Sequence, residues 1–298
     1  MPGKSALRFN FAFAFTISFC VHLHLLLGLV QIRAMAYPIF VLLFVGLGAQ
    51  PTTRASWKLY TGSAMLLPAL REKVLHANRE IARRGLAPHT FGNASGIDRA
   101  GAKPLVVIKP SGVDYDSLTS ADLVITGLDG EVVEGHLRPS SDLDTHTHLY
   151  REFPSIGGIV HTHSEFATSW AQAGRPIPCL GTTHADYFHG PVPITDPLTA
   201  EEVAKGYVRN TAAVIVRRFH TDNLDPLAVP GVLVAGHAPF TWGKTVSDAV
   251  EHADVLEYIA RLAFRSILLG ASESGIPAHV SEHHYQRKHG PKASYGQR

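Results

Sequence analysis

The dipeptide Asp129-Gly130 constrains this chain most. It separates two runs rich in β-branched residues, 123–128 and 131–134. An Asp-Gly pair suits a tight two-residue turn, so the runs read as an antiparallel hairpin. Around it, apolar runs at 105–109, 157–162, 212–217 and 231–235 read as strands. Helical spacing appears at 142–153, at 164–173 with Ser164 as cap, from Thr199 to about residue 209, and from Thr245 or Ser247 to about residue 269. Strands and helices alternate, and the hairpin makes at least part of the sheet antiparallel. That pattern fits an α/β layered domain with helices packed on a sheet.

The 298 residues divide unevenly in charge. Residues 1–64 hold Lys4, Arg8, Arg33, Arg54 and Lys58 and no Asp or Glu. Setting those five aside leaves 22 of the 27 basic residues against 25 acidic ones. The remainder is therefore mildly acidic and carries no electrostatic footprint for nucleic acid. Residues 9–32 lack any charge, long enough for a membrane-spanning helix, and the small residues near 46–49 resemble a secretory signal. Two readings stand: an anchor or export signal, or an upstream extension that is no part of the folded protein. Met65 opens a helix-like pattern of Leu66, Leu67, Leu70, Val74, Leu75, Asn78 and Ile81 that stops near Gly85. Arg71, Lys73, Arg79, Glu80, Arg83 and Arg84 fill its other face. Residues 65–298 show no internal repeat or linker and read as one domain. Cys20 and Cys179 are too few for a disulfide framework.

Three histidines stand at strand ends. His161-Thr162-His163 closes the run 157–162, and residues two apart on a strand point to the same side. His237 follows the run 231–235 and Gly236. Three imidazoles delivered by two strand ends make a site with an open position, the pattern of a catalytic divalent metal such as zinc. Three loops, Gly92-Asn93-Ala94-Ser95, Lys109-Pro110-Ser111-Gly112 and Pro139-Ser140-Ser141-Asp142, offer hydroxyls, backbone N–H groups and one Lys. Such groups can cradle a phosphate or simply form turns and caps. Asp186 lies in a polar loop, Thr182-Thr183-His184-Ala185-Asp186-Tyr187. The basic, His-rich segment 283–289 is either a solvated tail or one that folds over an anionic site.

Taken together these strings resemble a known family. Val107-Ile108-Lys109-Pro110-Ser111-Gly112-Val113-Asp114-Tyr115, Pro139-Ser140-Ser141-Asp142, Gly157-Gly158-Ile159-Val160-His161-Thr162-His163-Ser164, Gly181-Thr182-Thr183-His184-Ala185-Asp186-Tyr187-Phe188 and Arg287-Lys288-His289-Gly290 are similar, in order and spacing, to the L-ribulose-5-phosphate 4-epimerases of the class II aldolase/epimerase superfamily. The resemblance spans residues 65–297 and leaves 1–64 unaccounted for. It implies a three-layer α/β/α fold with a central, mainly antiparallel sheet, and a cytoplasmic homotetramer with sites between subunits. By the same resemblance His161, His163 and His237 hold zinc or another divalent metal, with Asp142 beside it. Asn93, Lys109, Ser111, Gly112, Ser140 and Ser141 bind the substrate phosphate. Asp186 and Tyr295 form the acid–base pair, Tyr295 coming from a neighbouring subunit, and His284 and Arg287 approach the site from the tail.

The implied reaction is metal-dependent 4-epimerisation of L-ribulose 5-phosphate to D-xylulose 5-phosphate, by retro-aldol cleavage and re-addition, in pentose (L-arabinose) catabolism. Related aldolases carry Glu where Asp142 stands, which favours the epimerase branch. Two alternatives share the fold: a class II sugar-phosphate aldolase, and a non-catalytic adducin-like interaction domain.

Overall fold

Helix α1 (Pro68–Arg83) starts with proline in its first turn, where the missing N–H costs nothing. It ends as the spacing predicts: Gly85 takes φ 71°, and Leu86 N–H donates back to Ile81 at 2.9 Å. The computed structural model describes residues 65–294, so the reading of 1–64 as a leader and the assignment of Tyr295 lie outside the described residues. Among those described, no helix is long and apolar enough to cross a membrane. One residue of α1 departs from expectation. Arg71 is buried rather than on the solvated face, and its guanidinium donates to the Ser120 and Leu123 carbonyls and to Glu134.

The sheet has seven strands: β1 (Gly92–Asp98), β2 (Leu105–Ile108), β3 (Val124–Gly127), β4 (Val132–Glu134), β5 (Gly158–Thr162), β6 (Gly231–Leu233) and β7 (Pro239–Gly243). Their order is β4-β3-β2-β1-β5-β7-β6, and every adjacent pair is antiparallel. The hairpin is present, but residues 128–131 form its connection rather than a two-residue turn. Gly127 N–H bonds the Glu131 carbonyl at 2.9 Å, and the register shifts at Ile125/Thr126.

Helices α2 (Leu143–Glu152) and α5 (Ala200–Thr221) cover one face, packing on Val106, Ile159, Phe240 and Trp242. Helix α1 and the first half of α6 (Val246–Leu268) cover the other, over Val107, Ile125 and Val160. The second half of α6 packs against α3 (Glu165–Gln172). A short helix α4 (Thr182–Ala185) and the last helix α7 (Ala278–His289) pack on each other. Capping boxes at Thr199/Glu202 and Thr245/Asp248 start α5 and α6. This is the mixed α/β arrangement, an antiparallel sheet between helices, that the sequence leads one to expect.

Two further expectations fail. The run 212–217 is not a strand but the buried face of α5, where Ala212, Val214, Ile215 and Val216 are enclosed. Periodicity alone does not separate a short apolar run from a buried helical segment. The segment 92–95 is not a loop but the start of β1, the middle strand. Its small residues permit close approach: a Cβ on Gly92 would lie 2.8 Å from the His161 carbonyl oxygen, and one on Gly96 2.7 Å from Val246. Segment 283–289, with two readings open from sequence, is helical and forms part of α7.

A tight junction lies where β5 passes under the start of α6. A Cβ on Gly158 would fall 2.4 Å from Val246 Cα and 2.6 Å from its nitrogen. Backbone atoms cannot swing aside, so Gly158→Ala is expected to destabilise by about 1–3 kcal/mol in urea unfolding, as overpacked core sites do. Gly101→Ala, with its nearest neighbour 3.7 Å away, should stay within about 0.5 kcal/mol. Equal midpoints for the two variants would contradict this account of the junction.

Candidate functional site

The antiparallel register sets the site. Asn93 pairs with His161 across β1 and β5, and His161 pairs with Phe240 across β5 and β7. His161 therefore projects to the α2/α5 face, stacked on the Phe240 ring at 4.2 Å. His163 follows two residues later, just past the end of β5. His237 sits in the β6–β7 turn after Gly236, whose φ of 71° reverses the chain. One ligand-capable nitrogen from each histidine lies within 4.8 Å of the other two. The His161 Nδ1–H donates to the Pro239 carbonyl at 2.9 Å, because a carbonyl only accepts. Its Nε2 lone pair is thereby left for the cluster.

The electrostatics suit a cation. Burial, reinforced by the two other imidazoles, pushes His237 down to about 4. Burial and His161 also lower His163. Both are neutral at pH 7 and offer lone pairs rather than protons. Asp142, at the start of α2, lies beside the cluster. Burial alone would raise its carboxyl, but His161, His146 and a hydrogen bond from the Asn93 amide (2.7 Å) outweigh that and hold it below the usual range. Three imidazoles with an adjacent carboxylate fit a borderline divalent cation such as zinc.

The histidines line one cleft of about 480 Å³ together with Asn93, Lys109, Ser111, Gly112, Ser140, Ser141 and Asp142. Lys109 is 2% exposed. Its ammonium donates to the Pro110 carbonyl at 3.3 Å and lies 4.8 Å from the centre of the Tyr115 ring. Burial lowers its pKa. Among the described residues no salt bridge holds this ammonium, so an anion entering the cleft finds a desolvated positive charge beside serine hydroxyls.

Asp186, His284 and Arg287 are brought together elsewhere. Asp186 accepts from His284 Nδ1 at 3.0 Å and from Arg287 at 3.2 Å, and His289 donates to its backbone carbonyl at 2.8 Å. None of these residues lines the histidine cleft of the same chain. The cleft has walls that the motifs do not reveal: Thr90, Phe91, Tyr207 and Val208. The Phe91 ring lies 6.0 Å from that of His163, and the Tyr207 hydroxyl lies 3.0 Å from His237 Nδ1. Tyr207 belongs to no motif, and only the glycine before it, inside a helix, signals anything unusual.

Behind the site lies a buried polar chain. His146 Nδ1 meets Ser95 Oγ at 2.7 Å, and Ser95 Oγ meets the Tyr150 hydroxyl at 2.8 Å. His146 is fully buried, and burial pushes it down to about 3. The folded state therefore holds His146 neutral, while the unfolded chain takes up a proton below its ordinary pKa of about 6.5. This group costs no stability above pH 6.5 and destabilises progressively as pH falls from there toward 3. In chelator, the slope of unfolding free energy against pH over that window should be shallower for His146→Asn than for the wild type, by up to about 1.4 kcal/mol per pH unit. Identical slopes would mean that His146 is protonated in the fold.

Comparison with known proteins agrees with this architecture. An L-fuculose 1-phosphate aldolase structure superposes with TM-score 0.63 at 24% identity, covering 76% of this chain and 99% of that one. An L-fuculose 1-phosphate aldolase from Glaciozyma antarctica gives 0.60 at 17% identity, covering 82% and 88%. The L-fuculose-1-phosphate aldolase of Thermus thermophilus gives 0.53 at 22%, covering 69% and 100%. These likenesses establish the fold. The family model for the class II aldolase and adducin N-terminal domain matches residues 72–264, most of the chain, and the protein belongs to that family.

Proposed function

We propose that the protein is a divalent-metal-dependent L-ribulose-5-phosphate 4-epimerase, with zinc as the metal. One observation carries the reading: a three-imidazole cluster, an adjacent carboxylate and a buried, unbridged lysine ammonium share one cleft. That combination suits a phosphorylated ketose, with its oxygens at the imidazole end and its phosphate at the Lys109 end.

A cation held by His161, His163 and His237 would supply Lewis-acid stabilisation of negative charge developing on the ketose oxygens. The chain's own residues do the rest. Lys109, Ser111, Ser140 and Ser141, with the Gly112 and Asn93 positions, hold the phosphate. One of Asp186 and Tyr295 removes the C4 hydroxyl proton. The C3–C4 bond breaks, its electron pair passing to the three-carbon fragment as an enediolate, while C4 becomes the aldehyde carbon of glycolaldehyde phosphate. The grip on phosphate retains the aldehyde while it turns its other face. C3 re-adds, and the second member of the pair returns a proton to the new alkoxide. Because Asp186 does not line the cleft of its own chain, this reading has a neighbouring subunit bring Asp186 and Tyr295, hence a homotetramer or similar ring. The Arg287 and His284 contacts would hold the Asp186 carboxylate in place there.

A sugar-phosphate aldolase is the second reading, favoured by the names of the solved structures that share the fold. It shares the cleavage and releases the fragments. The full chain, supplied with L-ribulose 5-phosphate, should form D-xylulose 5-phosphate without free glycolaldehyde phosphate, lose this activity to a chelator and regain it with zinc. Tyr295→Phe should cut turnover by about 10²–10⁴-fold with metal content unchanged. Free aldehyde in place of xylulose phosphate would move the reading to aldolase. Unchanged turnover in Tyr295→Phe would remove that residue from the mechanism.

A further inference from the structure

Helix α5 contains a break with no folding rationale of its own. Gly206 takes φ 135° and ψ 98°, far outside helical values, between two helical halves. A Cβ placed there would have no atom within 4 Å, so packing does not demand glycine; only the backbone conformation does. The break is braced. The Asn210 amide donates across it to the Glu202 carbonyl at 2.6 Å, and Thr211 Oγ1 donates to the Tyr207 carbonyl at 3.0 Å.

The residue after the break, Tyr207, is 42% exposed, and its hydroxyl sits 3.0 Å from His237 Nδ1. The two rings lie 5.9 Å apart. The three histidines are held differently. A backbone carbonyl fixes the His161 tautomer, whereas His237 stands on a turn and takes its partner from a side chain on another element. A phenol can donate or accept. Only when it accepts the Nδ1 proton does Nε2 of His237 present a lone pair to the cluster, so the tautomer that can bind a cation is the one in which Tyr207 accepts.

We propose that the break at Gly206 seats Tyr207 on His237, and that Tyr207 is a positioning residue that sets the affinity and geometry of the metal site. The proposal rests on the reading of His161, His163 and His237 as a metal site, and goes beyond it by assigning a partner to the member that stands on a turn. Tyr207 acts through the His237 imidazole that it contacts. Removing such a partner typically weakens metal binding by about 10–100-fold, because the imidazole loses both orientation and basicity.

The test uses the full chain as wild type, Tyr207→Phe and Gly206→Ala. Zinc affinity is read by competition with a chromophoric chelator. The ligand-field spectrum is read after loading with cobalt(II), and thermal melting is read in chelator. Tyr207→Phe should melt with the wild type in chelator, bind zinc about 10–100-fold more weakly and shift the cobalt bands. Gly206→Ala should weaken zinc binding in the same sense, because alanine resists the required φ and draws Tyr207 away. Wild type that binds while Tyr207→Phe matches it in affinity and spectrum would overturn the proposal and leave the metal reading standing. Weak binding by Tyr207→Phe alone, with Gly206→Ala like wild type, would overturn the role given to the break. A wild type that takes up neither zinc nor cobalt would overturn the metal reading and the proposal with it.

Discussion

Everything in the cleft depends on the pairing of β5 with its two neighbours. His161 is fixed laterally by Asn93 on one side and Phe240 on the other, and a one-residue slip of β5 would turn it to the opposite face of the sheet. The pairing is tight because glycines sit where backbones converge. Gly92 lets β1 approach the His161 carbonyl, and Gly158 lets β5 pass under α6. The site is thus built on the middle of a seven-stranded sheet, with His237 and the serines supplied by turns and loops.

The same packing sets the electrostatics. Burial lowers His163 and His237 and would raise Asp142, were it not for the imidazoles and the Asn93 amide beside it. Lys109 is buried in the same cleft with a carbonyl and a ring face for company. One cleft thus holds both imidazole lone pairs and an unbridged ammonium. Asp186 lies outside that cleft, where His284 and Arg287 of α7 hold its carboxylate.

Much of this is legible in the residues. The His-x-His at the end of an apolar run, the histidine after a second run, and the Lys-Pro-Ser-Gly and Pro-Ser-Ser-Asp strings lie on one cleft. Spacing on a strand and chemistry at a loop are local properties that a sequence expresses directly. What stays hidden is non-local. The strand at 92–98 is made of small residues whose value is close approach to neighbours, and nothing local marks it. The run 212–217 is helical because α2 and the sheet enclose it, not because of its composition. Tyr207 reaches His237 through a backbone break whose only trace is a glycine inside a helix. Arg71 reads as a surface charge because its carbonyl partners, Ser120 and Leu123, lie far along the chain.

The central claim is that His161, His163 and His237 form one cation site. X-ray absorption spectroscopy at the zinc edge, on the full chain loaded with one equivalent, tests it most directly. The account predicts the outer-shell scattering of three imidazoles around the metal, falling to two in His237→Asn. A spectrum with one imidazole or none, or one that His237→Asn leaves unchanged, would contradict it.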